Sequence, residues 1–145
     1  NPGGSMATRR TDILDALVTH LANNTTALVN NIDKQYHVLD EVNDFPAITF
    51  LPQGEVRTHR GDGRKLATLT MLVRAYAHDG DGSEIIGVTE ELAESIEDAI
   101  TTFADSNRAL GLEESDVVSF RTDEGLFAPY GIADLEAIIV YEVNV

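Results

Sequence analysis

The chain has 145 residues, 43% of them hydrophobic, with 25 acidic against 10 basic residues and a net charge of −15. That length and apolar content suit one domain with its own core, and the charge excludes a general nucleic-acid binder, whose affinity comes from Lys and Arg neutralising phosphates. Cysteine is absent, which excludes a disulfide framework, a thiolate metal site and a cysteine nucleophile, and no apolar run is long enough to predict a membrane span.

Residues 1–6, Asn-Pro-Gly-Gly-Ser-Met, read as an expression-tag remnant ending at a start methionine, with 7–145 as a single domain. Arg9–Asn23 predicts a first helix. Thr11 is placed as its N-cap, with Asp12 and Asp15 in the first turn, where the helix dipole favours anions. Ile13, Leu14, Leu17, Val18 and Leu21 recur at three-to-four spacing and form its apolar stripe. His20 shares the helix with that stripe and is expected as a flanking or an exposed residue. Asn23-Asn24-Thr25-Thr26 ends the helix. The 27–40 segment carries a weaker pattern, in which Tyr36, Val38 and Leu39 offer a short edge strand, and Glu41–Asp44 is a polar turn.

The most strongly patterned stretch follows. Ala47–Leu51 is apolar with a β-branched bias, and Pro46 stands at its mouth, where a missing N–H costs least. Leu66–Ala77 alternates, with Ala67, Leu69, Met71, Val73 and Ala75 on one face and Thr68, Thr70, Arg74 and Tyr76 on the other. Between these strands, Gln53–Lys65 predicts a long β-hairpin loop of roughly a dozen residues, more than a hairpin usually needs.

His78–Ser83 is a loop. Its Asp79-Gly80-Asp81-Gly82 run lacks the ligand spacing of a calcium loop, and the twelfth position from Asp79 is Glu90, beyond an apolar run. A second helix carries Leu92, Ile96, Ala99, Ile100 and Phe103 at helical period. It begins either at Thr89 or a turn and a half earlier, at Ser83 and Glu84. Glu90, Glu91, Glu94, Glu97 and Asp98 cover its outer face, which most simply is a solvated surface. Gly111 marks a turn, Asp116–Thr122 a strand, and Asp123–Gly131 a loop holding Leu126, Phe127, Pro129 and Tyr130. Ala133–Val145 closes the chain as a strand, with Leu135, Ala137, Ile139, Tyr141 and Val143 on one face. The strands cluster rather than alternating regularly with the helices. This order predicts an α+β fold, a mainly antiparallel or mixed β-sheet with two principal helices packed on one face.

No catalytic or cofactor signature emerges. His20, His37, His59 and His78 form no helical metal-ligand pair. Gly61-Asp62-Gly63-Arg64-Lys65 lacks phosphate-loop spacing and opens no helix. There is no Gly-x-Ser-x-Gly elbow. No cofactor or metal is expected. Two features do suggest contact surfaces. Arg57, Arg60, Arg64 and Lys65 concentrate positive charge, with His59 beside them, inside an acidic chain, either as a solvated loop tip or as an arm that meets an acidic surface. Phe127 and Tyr130 belong to an aromatic loop that either tucks onto the core or anchors an interface.

An amphipathic helix, the Phe45-Pro46-Ala47-Ile48-Thr49-Phe50 strand, a long loop, the Val73-Arg74-Ala75-Tyr76 strand end, an acidic helix and a last strand reached through Tyr130-Gly131 come in one order. That order and the chain length resemble the tail terminator proteins of long-tailed bacteriophages, the minor tail protein U-like family. The resemblance implies a structural virion protein and not an enzyme. Its copies would form a hexameric ring that caps the tail tube, stops tube polymerisation and presents a joining surface to head completion or connector proteins. DNA would pass through without specific binding. The place implied is the head-proximal end of the virion tail, after assembly in the host cytoplasm and away from any membrane. A ring needs two different patches on each subunit. Arg57, His59, Arg60, Arg64 and Lys65 on one side, Glu90, Glu94 and Glu97 on the other, and Phe127 with Tyr130 are the expected interface residues. The alternatives are a tail tube or head–tail connector subunit on the same scaffold, a small enzyme with an unrecognised carboxylate site, and a host protein-binding module.

Overall fold

The computed structural model describes residues 10–25, 31–33, 38–42 and 44–143. The predicted tag and His37 lie outside them, as does most of 26–37. Strand alternation sets the architecture. In β3 (Lys65–His78) alternate side chains from Ala67 to Ala75 are buried, and in β5 (Tyr130–Glu142) the same holds for Ala133, Leu135, Ala137, Ile139 and Tyr141. The two strands pair antiparallel along their length, with Val73 opposite Leu135 and Leu69 opposite Ile139, so their apolar faces coincide. A one-residue slip would turn each set to the wrong side. β2 (Ala47–His59) pairs antiparallel with β3, and β4 (Leu112–Thr122) with β5. β1 (Asn31–Asp33) adds a short parallel strand beside the start of β2, giving the order β1-β2-β3-β5-β4 among the described residues.

Two helices cover one face, as predicted. Ile13, Leu17 and Leu21 of α1 (Arg10–Asn24) and Leu92, Ile96, Ala99, Ile100 and Phe103 of α2 (Ile85–Ser106) join the inner sheet face in one continuous buried cluster. Each fully buried aliphatic or aromatic side chain of this kind contributes about 1.5–3 kcal/mol relative to exposure. Polar ties fix the layers in register. The Ser115 hydroxyl donates to the Ile100 carbonyl (2.6 Å) and accepts from the Ala104 N–H (2.9 Å), joining β4 to α2. His20 is buried at the flank of the stripe, the first of its two expected places, and not exposed. It faces α2, with Nε2 2.8 Å from the Ala99 carbonyl and 3.0 Å from Thr102 Oγ1, and its ring centroid lies 5.5 Å from that of Phe103. One turn of α1 brings His20 onto the side where a second helix packs, a contact that periodicity within α1 does not specify.

Other boundaries differ for local reasons. Thr11 lies inside α1 rather than at its cap. α2 starts at the earlier of its two predicted origins, with Glu84 at the cap and the Thr89 hydroxyl buried and bonded to the Ile85 carbonyl (2.7 Å). The described edge strand lies at Asn31–Asp33, whereas Leu39–Glu41 forms a turn of 3₁₀ helix preceded by exposed Val38. β4 begins at Leu112, directly after Gly111 in the left-handed conformation (φ +79°), and two bulges then leave Val118 and Phe120 exposed. The largest departure is the hairpin. β2 continues through Pro52 to His59, so the expected long loop contracts to residues 60–64. A bulge between Pro52 and Gly54 lets the strand absorb a proline that cannot complete the ladder.

Candidate assembly surfaces

That bulge decides what the hairpin presents. Before it, Ile48 and Phe50 face the helices. After it, Glu55 and Arg57 stand opposite Leu69 and Ala67, whose side chains point inward, so both are turned to the helix side. Val56 is left on the open sheet face, 70% exposed. The Glu55 side chain is only 6% exposed and is held from three elements. Arg57 Nε donates to Glu55 Oε2 at 2.6 Å, Arg10 of α1 reaches the same oxygen at 3.2 Å, and the Tyr141 hydroxyl of β5 donates to Glu55 Oε1. Burial raises the Glu55 pKa, but the Tyr141 and Arg57 hydrogen bonds and the charges of Arg57 and Arg10 outweigh it, leaving it below the usual carboxylate value. Burial and the bond to Glu55 push the Tyr141 phenol up to about 12. Around this cluster lies a hollow of about 510 Å³, walled by Arg10, Arg57, Gln53 and Leu69 among others.

At the hairpin tip, the Arg60 N–H donates to the Arg64 carbonyl (2.7 Å), and Gly63 takes φ +86°, a conformation a side chain would strain. Arg64 does not project. Its guanidinium folds back onto the neighbouring strands, donating from Nε to Glu142 (2.7 Å) and from Nη2 to Glu113 (3.2 Å). Lys65 is half-buried at the start of β3. His59 and Arg60 are exposed and enter no ion pair among the described residues. The sequence grouped five basic residues as one arm. The structure divides them into Arg57 in the Glu55 cluster, Arg64 paired within its own chain, Lys65 at the foot of β3, and His59 and Arg60 open at the tip.

Glu90, Glu94 and Glu97 lie along one exposed row of α2, with Glu91 and Asp98 beside them, and no basic side chain pairs with them among the described residues. α2 packs over β4, β5 and β3, whereas the Glu55 cluster sits on β2. The basic cluster is therefore centred on the β2 edge, reaching to Tyr141 of β5, and the acidic row lies on the helix that covers β4, β5 and β3.

The far end of the sheet exposes an apolar patch. Asp123 organises the 123–130 loop, its two carboxylate oxygens accepting from the Phe127 and Ile132 N–H groups, each at 3.0 Å. Leu126 (78% exposed), Phe127 (49%) and Ile86 (57%) lie bare, and a side chain at Gly125 would meet Ile86 at 3.2 Å, so the loop tip adjoins the start of α2. Tyr130 takes the other course. It is half-buried and stacks on Phe45 (centroids 5.3 Å apart) and His78 (4.9 Å). Phe127 thus presents itself outward, and Tyr130 braces the loop against the strand ends.

The open sheet face carries Arg74 directly opposite Asp134, a bidentate pair at 2.6 and 2.8 Å that sequence inspection missed, because it depends on pairing of distant strands. A hollow of about 380 Å³ there is walled by Gln53, Leu72, Ser119, Phe120, Asp134 and Glu136 among others. Asp134 is committed to Arg74, and the Ser119 hydroxyl donates to Glu136 at 3.1 Å. Among the described residues no group of three or more His, Asp or Glu side chains is arranged to hold a metal ion. The surfaces on view are thus a charged cluster at the hairpin end, an acidic row on α2 and an apolar patch at the 123–130 loop.

Comparison with known proteins gives a concordant picture. Over 125 residues, 79% of this chain and 76% of the relative, the sequence is 25% identical to tail tube terminator protein p142 of Escherichia phage T5. A chain of the solved virion of a native gene transfer agent particle shares the fold with a TM-score of 0.57, at 12% identity, over 89% of this chain and 93% of that one. The family model described as bacteriophage tail tube terminator protein matches residues 6–144, and the chain belongs to that family.

Proposed function

We propose that copies of this chain form a ring on the end of the phage tail tube, that the ring stops tube growth, and that its outer surface receives the head completion proteins while DNA passes through the hole. The observation that supports this reading, beyond family membership, is the presence of two separate patches of unlike charge, the basic cluster on the β2 hairpin and the acidic row of α2. A closed ring requires a heterologous contact of this kind, two different patches meeting around an axis. Charge complementarity fixes which patch meets which and in what register more than it sets affinity. The two ends of the sheet then serve different neighbours, one through charge and the other through the Ile86, Leu126 and Phe127 patch. The protein acts by shape and contact, with no bond-making step.

The test is reconstitution. Tube protein polymerising in vitro should stop elongating when the purified chain is added, with a ring visible at one end by negative-stain electron microscopy. The purified chain alone should stay monomeric or close into single rings. Tubes built from this chain alone would instead make it a tube subunit, and continued elongation in its presence would refute capping.

A further inference from the structure

Resting on the ring reading above, we propose that Arg10 and Arg57 form a carboxylate-receiving notch, and that its occupant is the acidic row of α2, Glu90, Glu94 and Glu97, from a second copy of this chain. Two guanidiniums converge on one oxygen, Glu55 Oε2, at 3.2 and 2.6 Å. One carboxylate shared between two arginines leaves a net positive charge, inside a chain of net charge −15. Each guanidinium has five N–H donors; Arg57 uses Nε on Glu55 and also interacts with Tyr141, and Arg10 reaches Glu55 through Nη1, so donors remain on both for another acceptor. Both arginine side chains are about half exposed, at 54% and 46%, whereas the Glu55 carboxylate beneath them is almost covered. Glu55, itself bound by Tyr141, is therefore a positioning residue, which holds the two forks facing a hollow of about 510 Å³.

The occupant follows from charge and placement. Arg forks suit carboxylates in bidentate geometry. Glu90, Glu94 and Glu97 fall at i, i+4 and i+7, one straight row on a helix, and they carry no partner among the described residues. The notch is centred on β2 and the row lies on α2 over β4 and β5, and the two do not pair within the chain; in a ring, side-by-side copies would bring one against the other.

Because the chain has no cysteine, introduced thiols report without background. Gln53, exposed on the wall of the notch, and Glu91 or Asp98, exposed beside the acidic row, can be changed to Cys without touching the arginines or the three acids. The full-length double variants Q53C/E91C and Q53C/D98C are treated with a short bis-maleimide under conditions where wild-type rings are seen by electron microscopy. The expected result is a ladder of linked copies ending at the closed ring. R10E/R57E should weaken self-association about tenfold, and adding Glu94→Lys should restore most of it. Rings that form normally but give no ladder, and that tolerate R10E/R57E, overturn the notch and leave the capping reading intact. Linkage of the Q53C thiol to the tube protein instead of to a second copy overturns the assigned occupant. Absence of any ring, alone or on tube ends, overturns both readings.

Discussion

The two ends of the sheet are each organised by one carboxylate, but in opposite ways. At the hairpin end, Glu55 collects side chains from α1, β2 and β5, so its order depends on the tertiary fold being complete. At the other end, Asp123 accepts from the backbone of its own loop and of the strand that follows, and Tyr130 braces that loop on Phe45 and His78. The first arrangement presents charge, through Arg10 and Arg57. The second presents apolar surface, through Leu126, Phe127 and Ile86. A charged surface sets partner and register and responds to salt and pH. A compact apolar patch with an aromatic supplies affinity and is not weakened by charge screening. In the proposed ring, the first end would choose an orientation and the second would hold a partner.

The comparison can be broken most severely where β5 meets α2. A Cβ on Gly131 would lie 1.9 Å from Thr89 Oγ1, so Gly131→Ala forces the strand and helix apart. It should cost about 3 kcal/mol in urea denaturation, with partial recovery in T89A/G131A. A loss under about 0.5 kcal/mol would mean the apolar end yields freely.

Asp123→Ala removes two hydrogen bonds to a charged acceptor and should cost about 2 kcal/mol. Hydrogen exchange should show the loss confined to the amides near Phe127 and Ile132, with the hairpin strands unchanged. Faster exchange in the hairpin as well would show that the two ends are not independent.

At the hairpin end the effect depends on pH. Glu55 titrates below the ordinary carboxylate value in the folded state, so its stabilisation is present above that ordinary value and is lost as pH falls through the lower folded one. Wild type should lose stability in this acid window, and Glu55→Gln should flatten the slope there. Tyr141 is raised to about 12. Its stabilisation is full below the usual phenol value of about 10 and disappears as pH rises from there to about 12. Thermal melts across both windows measure this, and an E55Q slope equal to wild type would contradict the role given to Glu55.

The smallest stability effect is expected at the patch. Leu126→Ser should change folding stability by no more than about 0.5 kcal/mol, since the side chain is 78% exposed. It should still reduce incorporation into tails in a competition with wild type. Equal incorporation would remove the patch from the interface.

Much of the scaffold was legible in the sequence, because β3, β5 and α2 each bury one face of a sustained pattern. Period alone is enough to read such elements. What escaped was set by contacts between distant segments. Pro52 and Gly54 read as loop residues, and only pairing with β3 turns them into a bulge inside a strand. His20 is buried by a second helix, and Arg74 meets Asp134 through a register that no local pattern encodes. The candidate surfaces were half legible. Charge singled out Arg57 and the α2 acids as exposed charged groups, but Arg64 proved to be held by Glu142 and Glu113, so reversing it would crowd three carboxylates rather than disarm a projecting arm. The partner roles of Arg10, Glu55 and Tyr141 went unseen, since they come from three separate elements.

The central claim is that this chain ends tube growth by closing on its own copies. The most direct measurement is the length distribution of tails made in cells with and without it, imaged by electron microscopy. The account predicts tails of one length, each closed by a ring, when the chain is present, and long uncapped tubes of variable length when it is missing. Tails of uniform length in its absence would contradict it.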